Sequence, residues 1–200
     1  AGRLGVRLAG FINTLIIARI LVPEDFGLVA IALATMQLLQ NVTDFGIAQT
    51  MIKLRETDKA HLETLFTLSA ARGVFTALIL CLAAPAAATV YGDPRLAHVF
   101  LLVALYPLLT GLMNPRFFEF ERAIDFSRDF QVQILAKLAE VATAILIALI
   151  FRSWVALILG LVAGGAVRLA LSYAMKPWRP RLSLAAFSQV YGFMGWLTGI

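Results

Sequence analysis

Residues Gln131–Phe151 (QVQILAKLAEVATAILIALIF) and Trp154–Met175 (WVALILGLVAGGAVRLALSYAM) are two apolar runs separated only by Arg152-Ser153. A helix needs about 20 residues to cross the hydrocarbon core of a bilayer. Each run has that length, and a two-residue connection leaves room only for the chain to turn back. In lipid, every backbone polar group must be satisfied within its own segment, which leaves helices as the structure these runs can adopt. The pair therefore predicts two neighbouring spanning helices. Gly160, Gly164 and Gly165 in the second run predict close helix packing, because a helix without a side chain there lets its neighbour approach.

The same pattern extends towards the N-terminus. Apolar runs cover Ala1–Val22, Phe26–Ile52, Leu65–Tyr91 and Leu96–Pro115. They are separated by the turn Pro23-Glu24-Asp25, the polar segment Lys53–Glu63, and the tight turn Gly92-Asp93-Pro94-Arg95. Pro85 and Pro107 lie inside the third and fourth runs, where proline removes a helix hydrogen bond and can bend the helix. Between Arg116 and Phe130 aromatics alternate with charges. That stretch reads either as a surface helix touching lipid or a partner, or as an extension of the fourth helix with an interfacial aromatic face. After Met175 comes a basic, proline-punctuated loop, Lys176–Arg181, and then Ser183–Ile200, which reads as the start of a seventh helix.

Composition agrees. Of 200 residues, 60% are hydrophobic and 14% charged, against roughly 45–50% and 25% in a soluble domain. Lipid is the solvent that such a surface requires. The net charge of +5 would suggest nucleic acid in a soluble protein, but here the cations sit in short loops between apolar runs, and no nucleic-acid partner is expected. The second, fourth and sixth loops carry Lys53, Arg55 and Lys59; Arg116, Arg122 and Arg128; and Lys176, Arg179 and Arg181. The opposite loops offer only Arg95, Arg152 and, at the margin, Arg19. The positive-inside rule then places the even loops and the N-terminus in the cytoplasm. Tyr91, Trp154, Tyr173 and Trp178 fall near run ends, as interfacial aromatics do. The expected fold is all-α: a polytopic transmembrane bundle of about six spanning helices plus the start of a seventh. Residues 1–182 hold the six spans and 183–200 the start of the seventh. The chain opens and closes inside apolar runs, which reads as a piece of a longer protein.

Ionisable residues at bilayer depth are costly and mark candidate sites. At about 1.5 Å of rise per residue, Arg7 and Arg3 lie roughly 22 and 28 Å from the outer end of the first run, and Asp44 lies roughly 27 Å into the second. Asp44 can therefore meet Arg3 or Arg7. From the inner side, Arg72, Lys137 and Glu140 lie roughly 10, 9 and 14 Å deep. Lys137 and Glu140, three apart, share a helix face. Four cations against two carboxylates give +2, which suits an anionic headgroup such as a pyrophosphate that arginine grips through two hydrogen bonds. Asn13, Gln37, Gln40, Asn41 and Gln133 could line the same cavity. The structural alternative is that Arg3, Arg72 and Lys137 snorkel to the headgroups, and that Arg7 with Asp44 only fixes packing. Arg168, near the inner end of its run, reads as a snorkelling residue.

Other chemistry finds no support. His61 and His98 have no ligand-spaced partners for a metal. There is no glycine-rich phosphate loop and no nucleophile-elbow serine. The single Cys81 cannot form an intrachain disulfide. No enzyme activity and no cofactor are expected; a coupling ion, H+ or Na+, is the one small partner left open.

Three stretches carry a resemblance: Arg19–Gly27 (RILVPEDFG), Thr43–Ile47 (TDFGI) and Phe117–Arg122 (FFEFER). With the helix spacing, they resemble bacterial polysaccharide-biosynthesis membrane proteins, the oligosaccharide-lipid flippases of the multidrug/oligosaccharidyl-lipid/polysaccharide exporter superfamily. The resemblance implies twelve to fourteen helices in two lobes around a cavity that opens alternately to each side of the bacterial inner membrane. It implies movement of an undecaprenyl-pyrophosphate-linked glycan from the inner to the outer leaflet, alongside other polysaccharide-assembly proteins. It supplies no strict site motif, so the candidate residues rest on intramembrane charge. Two rivals remain: a cation-coupled drug or small-molecule exporter of the same superfamily, and a membrane polymerase or ligase, whose large outer loop is missing from these residues.

Overall fold

A computed structural model of the chain describes residue 10 and residues 17–43, 59–117 and 126–187. The described residues are helical, with no strand among them. Helix α1 is Pro23–Val42, α2 is Lys59–Tyr91, α3 is Arg95–Val103, α4 is Leu105–Gly111, α5 is Phe126–Phe151 and α6 is Val155–Met175. A 3₁₀ turn, Pro115–Phe117, follows α4. Four described helices are long and apolar enough to cross a membrane, in α1, α2, α5 and α6, while Arg95–Gly111 is a shorter apolar pair.

The boundaries follow from local chemistry. The first run turns at Arg19, where the amides of Ile20 and Leu21 both donate to the Ile17 carbonyl. Proline at the first position starts α1, with Glu24 and Asp25 in its positive-ended first turn. The helix thus begins three residues earlier than the apolar pattern indicates. It ends at Val42, where the Thr43 amide returns to the Leu39 and Asn41 carbonyls. The described part of α2 already includes Lys59, inside the segment expected to be a loop, because no helix breaker separates the polar residues from Leu65. Its 33 residues span about 50 Å, well beyond the hydrocarbon core, and the helix continues through Pro85. Gly92 closes it at φ +69°, a conformation that a Cβ would strain.

The fourth run is not one continuous helix. Pro107 has no amide to offer the Val103 carbonyl, and the helix divides at Ala104. α4 then stops at Gly111, and a break at Met113-Asn114 leads into the 3₁₀ turn. As far as Phe117, the aromatic stretch is therefore not an extension of the fourth helix. Phe117 itself is buried against Val132, Met113, Leu171 and Met175; residues 118–125 lie outside the described set.

The main apolar core forms around α3, which buries Leu96, Val99, Phe100 and Val103 at helical spacing. They meet Leu28, Val29, Ala32 and Met36 of α1, Ala77, Leu80 and Ala84 of α2, and Ile158 of α6. Large apolar side chains such as Leu82, Leu146, Leu149 and Ile150 face outwards, an arrangement stable against lipid and not against water. α5 and α6 form an antiparallel hairpin turning at Arg152, with φ +45°. A Cβ on Gly160 would lie 2.7 Å from Ala144 Cβ, and one on Gly164 would lie 2.9 Å from Glu140 Cβ. The glycines do permit the close approach expected of them.

The helix ends gather into two layers. One end carries Leu21, the Gly92–Arg95 turn and Arg152. The other carries the start of α2, Asn114 and the loop after α6. There, Asn114 Nδ2 donates to the Ser172 and Lys176 carbonyls at 3.2 and 2.6 Å, capping the end of α6. The Thr67 hydroxyl donates to the Ser183 carbonyl at 3.1 Å and accepts from the Ser183 amide at 2.9 Å. Trp178 packs edge-on against Phe66 with ring centroids 5.4 Å apart.

Candidate functional site

Of the described intramembrane charges, the α5–α6 seam carries Lys137, Glu140 and Arg168, while Arg72 stands apart on α2. Glycine keeps the two backbones close, so residues one turn further along α6 face α5. Arg168 stands four residues after Gly164 and three after Gly165, on the same helix face. Lys137 and Glu140 answer from α5: Lys137 Nζ donates to Glu140 Oε1 at 2.6 Å, with the two side chains 23% and 25% exposed.

Two cavities meet at this pair. One, of about 350 Å³, is lined by Lys137, Glu140 and Arg168 with Gln133, Tyr106, Ala136, Leu161, Gly164 and Gly165. The other, of about 270 Å³, shares Lys137 and Glu140 but is otherwise largely apolar, lined by Gly10, Phe26, Val29, Ala30 and Leu33 on one side and Ala144, Leu157, Ile158 and Leu161 on the other. The Lys137 stem passes Gly10 so closely that a Cβ there would lie 3.3 Å from Lys137 Cε. The charged pair thus stands between a polar chamber and an apolar one. Such a boundary can hold the ionic end of an amphiphile on one side and apolar matter on the other.

Lys137 and Glu140 are brought together as their spacing predicts. Gln133 joins them in the polar chamber. Arg72 is half-buried on α2 beside Gly73, whose close contacts are Pro107 and Gly111 of α4; it lines neither cavity. Gln37 and Asn41 are exposed and Gln40 half-buried on α1, also away from both. Arg3, Arg7, Asn13 and Asp44 lie outside the described residues, and the pairing of Asp44 with Arg3 or Arg7 lies there too. Sequence reasoning missed Arg168. It lines the polar chamber, and its Nε is buried with no hydrogen-bond partner among the described residues. The signal was the Gly164, Gly165, Arg168 spacing, which puts the cation on the face that packs.

A second charge cluster lies at the opposite end of the helices. Arg95 binds Asp93 through Nε at 3.1 Å and Nη2 at 2.8 Å. Its Nη1 lies 3.6 Å from Asp25, whose side chain is only 6% exposed. This contact gives the PEDFG stretch a structural role, since it ties the start of α1 to the start of α3. The Arg95 side chain, by its hydrogen bonds, holds the Asp93 carboxyl below its ordinary value of 3.8.

Apolar spans, a lipid-facing exterior and charge kept at an internal seam define a multi-pass membrane protein. The chain belongs to the polysaccharide biosynthesis protein family, whose profile it matches over residues 16–200. It is 29% identical over 195 residues to the succinoglycan biosynthesis transport protein ExoT of Rhizobium meliloti (strain 1021), covering 92% of this chain and 39% of that protein. It is 26% identical over 197 residues to the lipopolysaccharide biosynthesis protein WzxC of Escherichia coli (strain K12), covering 94% and 39%. The chain thus spans about two-fifths of the length of these curated relatives. No solved structure matches it.

Proposed function

We propose that the full-length protein is a lipid-linked oligosaccharide flippase. It moves an undecaprenyl-pyrophosphate-linked glycan from the inner to the outer leaflet of the bacterial cytoplasmic membrane by alternating access. The observation that carries the reading is the cation-bearing chamber in the α5–α6 seam of a chain from a polysaccharide-biosynthesis family. A half-buried cationic chamber beside an apolar one suits a phosphate-bearing lipid, whose charge must be sheltered while it crosses. One relative is named as a transport protein, which supports transport, and the other as a lipopolysaccharide biosynthesis protein, which supports a glycan as the cargo.

In this reading residues 1–182 are the N-terminal lobe, with six spans and a cytoplasmic N-terminus, and 183–200 begin the second lobe. The basic end of the bundle, with Lys59, Arg116, Arg128, Lys176, Arg179 and Arg181, faces the cytoplasm. Arg3, Arg7, Asn13, Asp44 and Arg72 extend the polar lining of the transport route, and H+ or Na+ supplies the driving force.

The test is complementation. Full-length protein expressed in a strain lacking its own flippase for the same glycan should restore surface polysaccharide. R7Q and D44N should each insert normally yet abolish export. A wild-type protein that inserts but leaves the lipid-linked glycan in the inner leaflet defeats the reading; normal export by both variants defeats those two site assignments.

A further inference from the structure

Among the described residues the polar chamber holds two cations, but they are not equivalent. Lys137 is already matched, because its ammonium sits 2.6 Å from Glu140 Oε1, on the same face of α5. The Glu140 side chain is held over Gly164, where a Cβ would come within 3.5 Å of its other oxygen, Oε2. Lysine, glutamate and arginine together sum to +1, and after the pair cancels that charge belongs to Arg168. The Arg168 Nε is buried and donates to nothing among the described residues. A buried donor left unmade costs about 1–3 kcal/mol, more on a charged group, so this one calls for a partner, and a bound anion is one that also answers the charge. Gln133 and Tyr106 line the same chamber and can supply neutral hydrogen bonds beside the guanidinium.

We infer that Arg168 is an oxyanion-binding residue of the α5–α6 seam, and that the Lys137–Glu140 pair is a neutral wall which leaves the chamber, among the described residues, a single free positive charge. This deepens the flippase reading and rests on it for the identity of the transported molecule. The ligand chemistry is a planar pair of anionic oxygens, which a guanidinium grips through two parallel hydrogen bonds. Those oxygens come either from the phosphates of a lipid carrier or from a carboxylate on the sugar. Arg168 lies seven residues from the end of α6 at Met175, roughly 10 Å along the helix, within reach of a headgroup that has only begun to leave its leaflet.

The charge arrangement predicts an order that a structural arginine does not. In purified full-length protein, binding of farnesyl diphosphate, with farnesol as the uncharged control, should fall at least tenfold in R168Q and recover partly in R168K. E140Q should bind at least threefold tighter than wild type, because it releases Lys137 as a second cation. K137Q should bind as weakly as R168Q, because the freed Glu140 carboxylate then competes for Arg168. Competition by sodium glucuronate in place of pyrophosphate assigns the oxygens to the sugar, and the reverse assigns them to the carrier; either supports the site. Binding by R168Q within threefold of wild type, or weaker binding by E140Q, overturns it. The two readings fail separately. Loss of the binding order with export intact removes the Arg168 site alone, whereas an intact order in a protein that cannot restore export removes the flippase and leaves an anion site.

Discussion

The two charge clusters have opposite stoichiometry. At the turn end, one cation, Arg95, serves two carboxylates, Asp93 and Asp25. At the seam, two cations, Lys137 and Arg168, share a chamber with one carboxylate, Glu140. The turn end is fully occupied. Arg95 is half exposed, its groups are hydrated, and its task is to join two helix starts. The seam, among the described residues, carries one cation more than its carboxylate matches, and Arg168 Nε there is shut off from solvent, where an unmet donor is expensive. A protein tolerates such a deficit where something else completes it, so the seam and not the turn is the place to look for a ligand.

The largest perturbation should come from the seam's packing. Gly164→Leu forces a side chain into space already occupied by the Ala136 carbonyl, 3.0 Å from the first added carbon, and by Glu140 Cβ at 2.9 Å. Both obstacles are backbone or near-backbone, so the helices must part. The expected cost is about 3 kcal/mol, read as a lower unfolding midpoint in detergent, together with loss of the Lys137–Glu140 geometry. A variant as stable as wild type would mean that α5 and α6 are not in close contact there.

Next comes Asn114, which shows what a satisfied buried polar group looks like in the same molecule. It is fully buried, caps two carbonyls at the end of α6 and accepts from the Arg116 amide at 2.9 Å. Asn114→Ala leaves those carbonyls without a donor and should destabilise the protein by about 2 kcal/mol. Arg168→Gln, by contrast, should cost little stability, since it removes a group whose buried donor is unmade. Reversal of that ranking in thermal unfolding would erase the contrast between satisfied and unsatisfied sites.

Much of the fold is legible in the sequence because lipid imposes a coarse rule. Twenty apolar residues between polar turns need only be helical, and α1, α2, α5 and α6 lie where the runs place them. The ends are less legible. The polar start of α2 shows no composition change that a helix would respect, and Pro107 turns an apolar run into two short helices by a single missing amide. In the site, Lys137 and Glu140 were readable from their spacing. Arg168 was not, because a basic residue near the end of an apolar run has two fates: snorkelling to the headgroups, or facing a partner helix. The choice depends on which face packs. Only the register of α6 reveals that face, through Gly164 against α5 and Gly165 against Tyr106 of α4.

The smallest effect belongs to the turn cluster and defines its character. Asp93 has its carboxyl held below 3.8, first by the Arg95 side chain and then by the Arg95 amide. A carboxylate depressed in the folded state contributes stability that is present above the unfolded value and lost as pH falls through the folded one. The Asp93–Arg95 contribution is therefore complete at neutral pH and disappears only below about pH 3.8. It is also small, because both groups are solvated and screened. Asp93→Asn should lower the unfolding midpoint slightly at pH 7, and the two curves should converge as the pH is taken below 3.8. Added salt should shrink the difference at pH 7 as well. A difference that persists in acid would show that Asp93 acts through the shape of the Gly92–Arg95 turn and not through charge. The turn would then be a steric joint, and the seam would be the place in the described chain where unbalanced charge has work to do.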